Sequence, residues 1–135
     1  MERFKGDEIM NIPFHTTNAP DAIGPYSQAV MTTGNMLFVS GQIPLVPATM
    51  KIVEGGVEEQ TTRALTNLMC IVEDAGFTKQ NIAKVTIFIK NMDDFGVING
   101  IYADFMGEHR PARAVVEVAR LPKDVLVEIE CIACK

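Results

Sequence analysis

A chain of 135 residues, 47% hydrophobic and 21% charged, fills one hydrophobic core and leaves no surplus for a second. Its formal net charge of -5 argues against a nucleic-acid partner, which calls for a basic face. No apolar run approaches the roughly 18 residues of a membrane helix, so no membrane partner is expected. Three cysteines, Cys70, Cys131 and Cys134, are too few and odd in number for a disulfide framework. The start, with Glu2, Asp7 and Glu8, has no apolar stretch of a secretory signal, which makes the cytoplasm the expected location.

Residues 1–18 read as a polar, weakly patterned lead-in. Ala19-Pro20-Asp21-Ala22-Ile23-Gly24-Pro25-Tyr26 follows, and its prolines and glycine predict an ordered irregular loop. Two short apolar runs, 27–31 and 36–40, flank Thr32-Thr33-Gly34-Asn35, the pattern of a β-hairpin with Gly34-Asn35 at its turn. Residues 42–56 contain Pro44, Pro47, Gly55 and Gly56 and read as loop, with a short strand near Ile52.

Residues 57–75 switch to helical period. Ala64, Leu65, Leu68, Met69, Ile71, Val72 and Ala75 follow the i, i+3, i+4, i+7 template, and Gly76 stands where a helix-ending glycine belongs. Residues 82–89 are β-branched and alternating, a strand. Asp93-Asp94 open a second helix whose buried stripe is Phe95, Ile98, Ile101, Tyr102 and Phe105, with Gly107 to end it. The last third reads as two strands, 112–119 and 125–133, joined by Leu121-Pro122-Lys123-Asp124. The order ββ(β)αβαββ predicts one α+β domain with helices on one face of a sheet.

If the last two strands form a hairpin turning near Leu121-Pro122, Arg113 lies opposite Ile129 or Glu130, with Glu128 a near neighbour. Arg113, Val115 and Glu117 share one face, and Glu128 shares its own with Glu130 and Leu126, so a one-residue slip decides whether Arg113 and Glu128 meet. The plainer interpretation is a cross-strand ion pair on a wet face. The functional one is a carboxylate-binding Arg, whose planar fork donates two parallel hydrogen bonds, beside an acid/base Glu. Cys131-Ile132-Ala133-Cys134 has C-x-x-C spacing, but i and i+3 of a strand point to opposite faces, and no second pair completes a metal set. Cys70 suits the core, and His15 and His109 have no motif around them. Ser27 and Ser40 lack a G-x-S-x-G context, and no glycine pattern makes a phosphate cradle. No metal or cofactor is expected.

Several stretches, taken in order, resemble the RidA (YjgF) family. They are Ala19-Pro20 with Ala22-Ile23-Gly24-Pro25-Tyr26-Ser27-Gln28-Ala29, then Ser40-Gly41-Gln42-Ile43-Pro44, then Asn67-Leu68 with Glu73-Asp74-Ala75-Gly76. Met92-Asp93-Asp94-Phe95 follows with Asn99 and Tyr102, then Pro111-Ala112-Arg113 and residues 116–125, closing on Glu128-Ile129-Glu130. The match spans about residue 15 to the end, leaving 1–14 as an N-terminal extension to a RidA-like domain at 15–135.

The resemblance implies a chorismate-mutase-like α+β fold, a mixed sheet with two helices on one face. It also implies a homotrimer whose sheets form a central barrel with clefts between subunits. It implies hydrolysis of 2-iminobutanoate and 2-iminopropanoate, with their enamine tautomers, to 2-oxo acids and ammonia. The family's carboxylate-binding arginine falls on Arg113 and its acid/base glutamate on Glu128. The cleft tyrosine falls on Tyr26, the serine and glycine on Ser40 and Gly41, and the asparagine on Asn99. Two departures stand out: Val115 replaces a cysteine common in the family, and the segment Glu108-His109-Arg110 before Pro111 is short. The competing functions are RNA cleavage of the L-PSP kind, disfavoured by the acidic charge, and carboxylate binding or chaperone-like action without turnover, which needs Arg113 but not Glu128.

Overall fold

A computed structural model describes residues 11–33 and 35–135. Its strands are β1 (Asn11–Phe14), β2 (Ala29–Thr32), β3 (Met36–Gln42), β4 (Leu45–Val46), β5 (Lys51–Ile52), β6 (Ile82–Ile89), β7 (Ala112–Glu117) and β8 (Val127–Cys134). Its helices are α1 (Val57–Asp74) and α2 (Phe95–Met106). Six strands form one mixed sheet in the order β1-β2-β3-β8-β6-β7, and β4 with β5 forms a small separate hairpin. Every pairing in the large sheet is antiparallel except β6 with β7.

That parallel pair follows from α2. Parallel neighbours need a crossover connection, and the helix between β6 and β7 supplies it. The last two strands therefore do not form a hairpin: β6 lies between them, bonded to β7 on one side and β8 on the other. The expected ladder between Arg113 and residues 128–130 is absent. Arg113 stands beside Val85 of β6, and Glu128 beside Phe88 of the same strand.

Strand β8 alternates strictly. Val127, Ile129, Cys131 and Ala133 are buried against the helices, while Glu128, Glu130, Ile132 and Cys134 face the other way. The core lies between this face and the apolar stripes of the helices, chiefly Leu65, Leu68, Ile71 and Val72 of α1 and Ile98 and Met106 of α2. Each such side chain contributes about 1.5–3 kcal/mol by leaving water. The opposite face of the sheet carries none of the described helices, and it presents Phe38 and Val116, each about 40% exposed, beside Phe88 and Ile132.

The expected hairpin at 27–40 is present as β2 and β3, with Thr32 opposite Met36; Gly34 itself lies outside the described residues. The region read as a lead-in contributes β1, an edge strand paired with β2; residues 1–10 lie outside the described residues.

Two buried carboxamides tie the irregular segments to this frame. Gln28 donates from Nε2 to the carbonyls of Thr16, Ala19 and Pro20, and its Oε1 accepts from Thr16 N–H at 2.7 Å. Asn67, fully buried on α1, donates to the carbonyls of Ile43 and Leu45 and accepts from Arg63 Nε. Thr16 and Asn18 also donate to the Asp74 carboxylate at the end of α1.

Helix α1 starts where the Glu59 carboxylate accepts the Gly56 N–H at 2.8 Å, with Glu58 and Glu59 at the positive end of the helix. It stops in a Schellman motif: Phe77 N–H donates to Val72 O, Gly76 N–H donates to Glu73 O, and Gly76 has φ of 92°. A Cβ at Gly76 would meet only Lys135 Nζ at 3.6 Å, so the demand there is conformational rather than steric. Gly76→Ala is expected to lower stability by roughly 1–2 kcal/mol, the cost of a left-handed conformation for a residue with a Cβ. The check is a lower urea midpoint with an unchanged m-value.

Candidate functional site

The predicted site residues fall into two groups on opposite faces of the sheet. Arg113 belongs to the helix side. It leaves edge strand β7 and lays its guanidinium over the Tyr102 ring, 4.8 Å from the centroid, with the Phe95 ring 5.9 Å away. Its Nη1 donates to Asn99 Oδ1 at 2.8 Å, and its other N–H groups donate to no described residue. Asn99 and Tyr102 are three residues apart on α2 and so share one helix face. With Ala103, Arg110 and Pro111 they line a cavity of about 400 Å³.

Tyr102 is 6% exposed, and its hydroxyl has no hydrogen-bond partner among the described residues. Burial pushes its pKa up, while the charges of Arg113 and Arg110 pull it down. The neutral phenol is therefore the stable form beneath the guanidinium, and its ring offers a cation–π surface.

Glu128 occupies the helix-free side. It lines a second cavity, of about 440 Å³, together with Ile23, Tyr26, Ser40, Gly41 and Glu130. The carboxyl group lies directly over Gly41, where an added Cβ would sit 2.8 Å from Glu128 Cδ. A side chain at 41 and the observed position of Glu128 are incompatible, which is the physical demand for glycine there. No described residue hydrogen-bonds to the Glu128 carboxyl. Burial, and secondarily the neighbouring Glu130 carboxylate, raises its pKa above the ordinary carboxylate value.

Ser40 turns its hydroxyl away from Glu128 and donates to the Ser27 carbonyl at 2.6 Å. It thereby pins the 23–27 loop against β3, and the Ser40 N–H donates to the Gln28 carbonyl in the same seam. Tyr26, half exposed at the cavity rim, is fixed through its hydroxyl, which accepts from the Ile23 N–H at 3.3 Å.

The structure thus brings Tyr26, Ser40 and Gly41 to Glu128, and Asn99 to Arg113, but keeps the two groups apart. Val115 packs against the core on the Arg113 side of β7. Sequence reasoning missed Tyr102 as the platform beneath Arg113, although its i+3 spacing from Asn99 carried the signal. It missed Arg110 as a lining residue, for which no pattern pointed to the cavity. Cys131 and Cys134 have opposite burial parity on β8; burial pushes the Cys131 thiol up to about 12. Among the described residues no cluster of His, Cys, Asp or Glu has the makings of a metal site.

Comparison with known proteins bears on the family and the fold. The family model described as endoribonuclease L-PSP matches residues 16–135. The 2-iminobutanoate/2-iminopropanoate deaminase of Escherichia coli K12 is 50% identical over 123 residues, covering 89% of this chain and 94% of that protein. The crystal structure of a protein of the conserved Rid family from Yersinia pestis superposes with a TM-score of 0.88 at 49% identity, covering 93% of this chain and all of that one. The structure of Escherichia coli TdcF with bound serine gives a TM-score of 0.86 at 46% identity over 92% of this chain and 98% of that one. Other similar chains, one from Pyrococcus horikoshii among them, are called RutC family proteins. With the family model spanning nearly the whole chain and these relatives at about half identity, the chain belongs to the endoribonuclease L-PSP family, also known as the RidA or YjgF family.

Proposed function

We propose that this protein hydrolyses 2-imino acids such as 2-iminobutanoate and 2-iminopropanoate to 2-oxo acids and ammonia, in clefts between the subunits of a cytoplasmic homotrimer. The observation that carries the proposal is the pair of complementary half-sites. A guanidinium with unused donors lies on one face, and a carboxyl with unused acceptors and a raised pKa lies on the other. A neighbouring copy can bring its Glu128 cavity to this chain's Arg113 cavity, and the exposed apolar residues of the helix-free face supply a surface to bury in doing so. The deaminase name of the Escherichia coli relative and the serine bound to TdcF support a small amino-acid-like ligand.

The chemistry asks for little. Arg113 holds the substrate carboxylate through its free bidentate edge while Asn99 and Tyr102 fix the guanidinium plane, a positioning contribution. Glu128 accepts a proton from water as the water oxygen bonds to the imine carbon. With the imine nitrogen protonated at the outset, Glu128 returns its proton to the carbinolamine nitrogen. The C–N bond then breaks to release ammonia as the hydroxyl oxygen forms the C=O bond, and the hydroxyl proton passes to Glu128 and on to solvent. Tyr26, Ser40 and Gly41 shape the wall around Glu128. No step calls on a metal or cofactor.

Release of 2-oxo acid beside a threonine dehydratase, with and without this protein, tests the activity. Cleavage of RNA by the same preparation without imine turnover is the outcome that would replace this reading with the one the family description names. Glu128→Gln removes the base and keeps the shape, so turnover is expected to fall by roughly 10²- to 10⁴-fold. Calorimetry should show 2-oxobutanoate still bound.

The shared cleft has its own test. Arg113→Ala and Glu128→Gln are each expected to be nearly inactive. Trimers reassembled from an equal mixture should regain about a quarter of wild-type turnover, because random assembly puts an intact Arg113 against an intact Glu128 at that share of interfaces. Mixtures no more active than their parents would put the site within one chain.

The pH dependence has a definite sign. Glu128 must be ionised to accept a proton, so kcat/KM should fall as pH drops through a pKa above the ordinary carboxylate value. Glu130→Gln removes the like charge that helps to raise it. The acid limb of the profile should then move to lower pH, while the part of the elevation caused by burial remains.

A further inference from the structure

The Arg113 cavity holds a second guanidinium that the proposed reaction does not use. Helix α2 ends at Gly107, whose φ is 67°, and the chain reaches β7 through Glu108, His109, Arg110 and Pro111. This short connection brings Arg110 back over the end of the helix. Its Nη1 donates to the carbonyls of Gly107 and His109, where the helix's exposed carbonyl groups favour a cation. Its Nη2 and Nε donate to no described residue. The ion pairs found among the described residues are Arg120 with Asp124 and His15 with Asp21, so no described acid neutralises Arg110 or Arg113. None of the six residues lining the cavity is acidic. Both guanidinium groups line the cavity together with Tyr102, and both charges act on its phenol.

Two unpaired guanidiniums in one concave surface raise the local positive potential and offer two forks for oxygen anions. A 2-imino monocarboxylate engages one of them. We propose that this cleft is built for 2-imino acids that carry a second carboxylate, the imines of short dicarboxylic 2-oxo acids, with Arg113 holding the C1 carboxylate and Arg110 the distal one. The cavity, about 400 Å³, is within the range of small-molecule sites. The proposal takes its reaction from the imine-hydrolase reading, but its binding claim stands apart from turnover.

The test is calorimetry with 2-oxoglutarate and 2-oxobutanoate on the wild-type oligomer, on Arg110→Gln and on Arg110→Lys. A charge-assisted contact at a solvent-facing arginine should make 2-oxoglutarate bind about tenfold more tightly than 2-oxobutanoate in the wild type. Arg110→Gln should abolish that ratio, and Arg110→Lys should restore part of it. Equal affinities in the wild type, a ratio unchanged by Arg110→Gln, or no binding of either acid overturns the proposal. So does a loss of oligomer mass in Arg110→Gln with both affinities falling together, which would make Arg110 a subunit contact. Imine turnover on the same preparations separates the two readings. A tenfold ratio without turnover removes the hydrolase and leaves the dicarboxylate site; turnover of both imines with no preference does the reverse.

Discussion

Strand β8 lies between β3 and β6, and the rest of the molecule is arranged around that insertion. A strand bonded on both edges, with Val127, Ile129, Cys131 and Ala133 buried on one face, has its register fixed by the core. Its other face is then equally fixed, and Glu128 and Glu130 have nowhere to go but the helix-free side. A slip of one residue would drive both carboxylates into an apolar core, at a cost no other interaction here could offset. The same core that stabilises the domain thus sets the orientation of the candidate acid/base group. On the far side of β6, the crossover helix α2 does the equivalent for Arg113, presenting Asn99 and Tyr102 from one helical face.

The loops around Glu128 have no ladder of their own, and buried amides replace one. Gln28 satisfies four backbone groups of residues 16–20, and Asn67 two carbonyls of residues 43–45. Each of those groups would cost about 1–3 kcal/mol if left buried and unpaired, so these two side chains anchor the segments flanking Tyr26 and Ile43. Gly41 completes the arrangement by leaving out the side chain that would occupy Glu128's position.

Much of this was legible in the residues. The bounds of β6 and the extent of α1 follow from periodicity, and Gly76 marks the helix end because only a left-handed residue closes the motif. Strand β1 was not legible: it is four residues long, contains Pro13 and lies at an edge, where neither alternation nor a full ladder is required. The β7–β8 hairpin was misread because Leu121-Pro122-Lys123-Asp124 has the composition of a tight turn. It is a turn, with Lys123 and Asp124 at positive φ, but it carries the chain past β6 rather than back along β7. The correct pairing was implicit in the element order, since a strand, a helix and a strand in succession favour a parallel pair. The Arg113–Glu128 association was therefore expected for a reason that the fold does not supply; what survives is the family resemblance and the chemistry of each half.

The separation of the two halves has a chemical consequence. Had Arg113 and Glu128 met across one ladder, each would have satisfied the other. The guanidinium would have lowered the Glu128 pKa and weakened it as a base, and the carboxylate would have occupied the fork proposed for substrate. Asn99 holds Arg113 instead, a neutral acceptor that orients the guanidinium through one nitrogen and leaves the remaining donors available. Glu128, held among apolar neighbours and Glu130 rather than beside a cation, keeps its raised affinity for a proton. In the shared cleft proposed above, the substrate carboxylate is what completes Arg113's hydrogen bonding, and Glu128 stays free for water. A fold that places Glu128 and Arg113 on opposite faces of a sheet lets the proposed assembly bring them near the same ligand without first having paired them with each other.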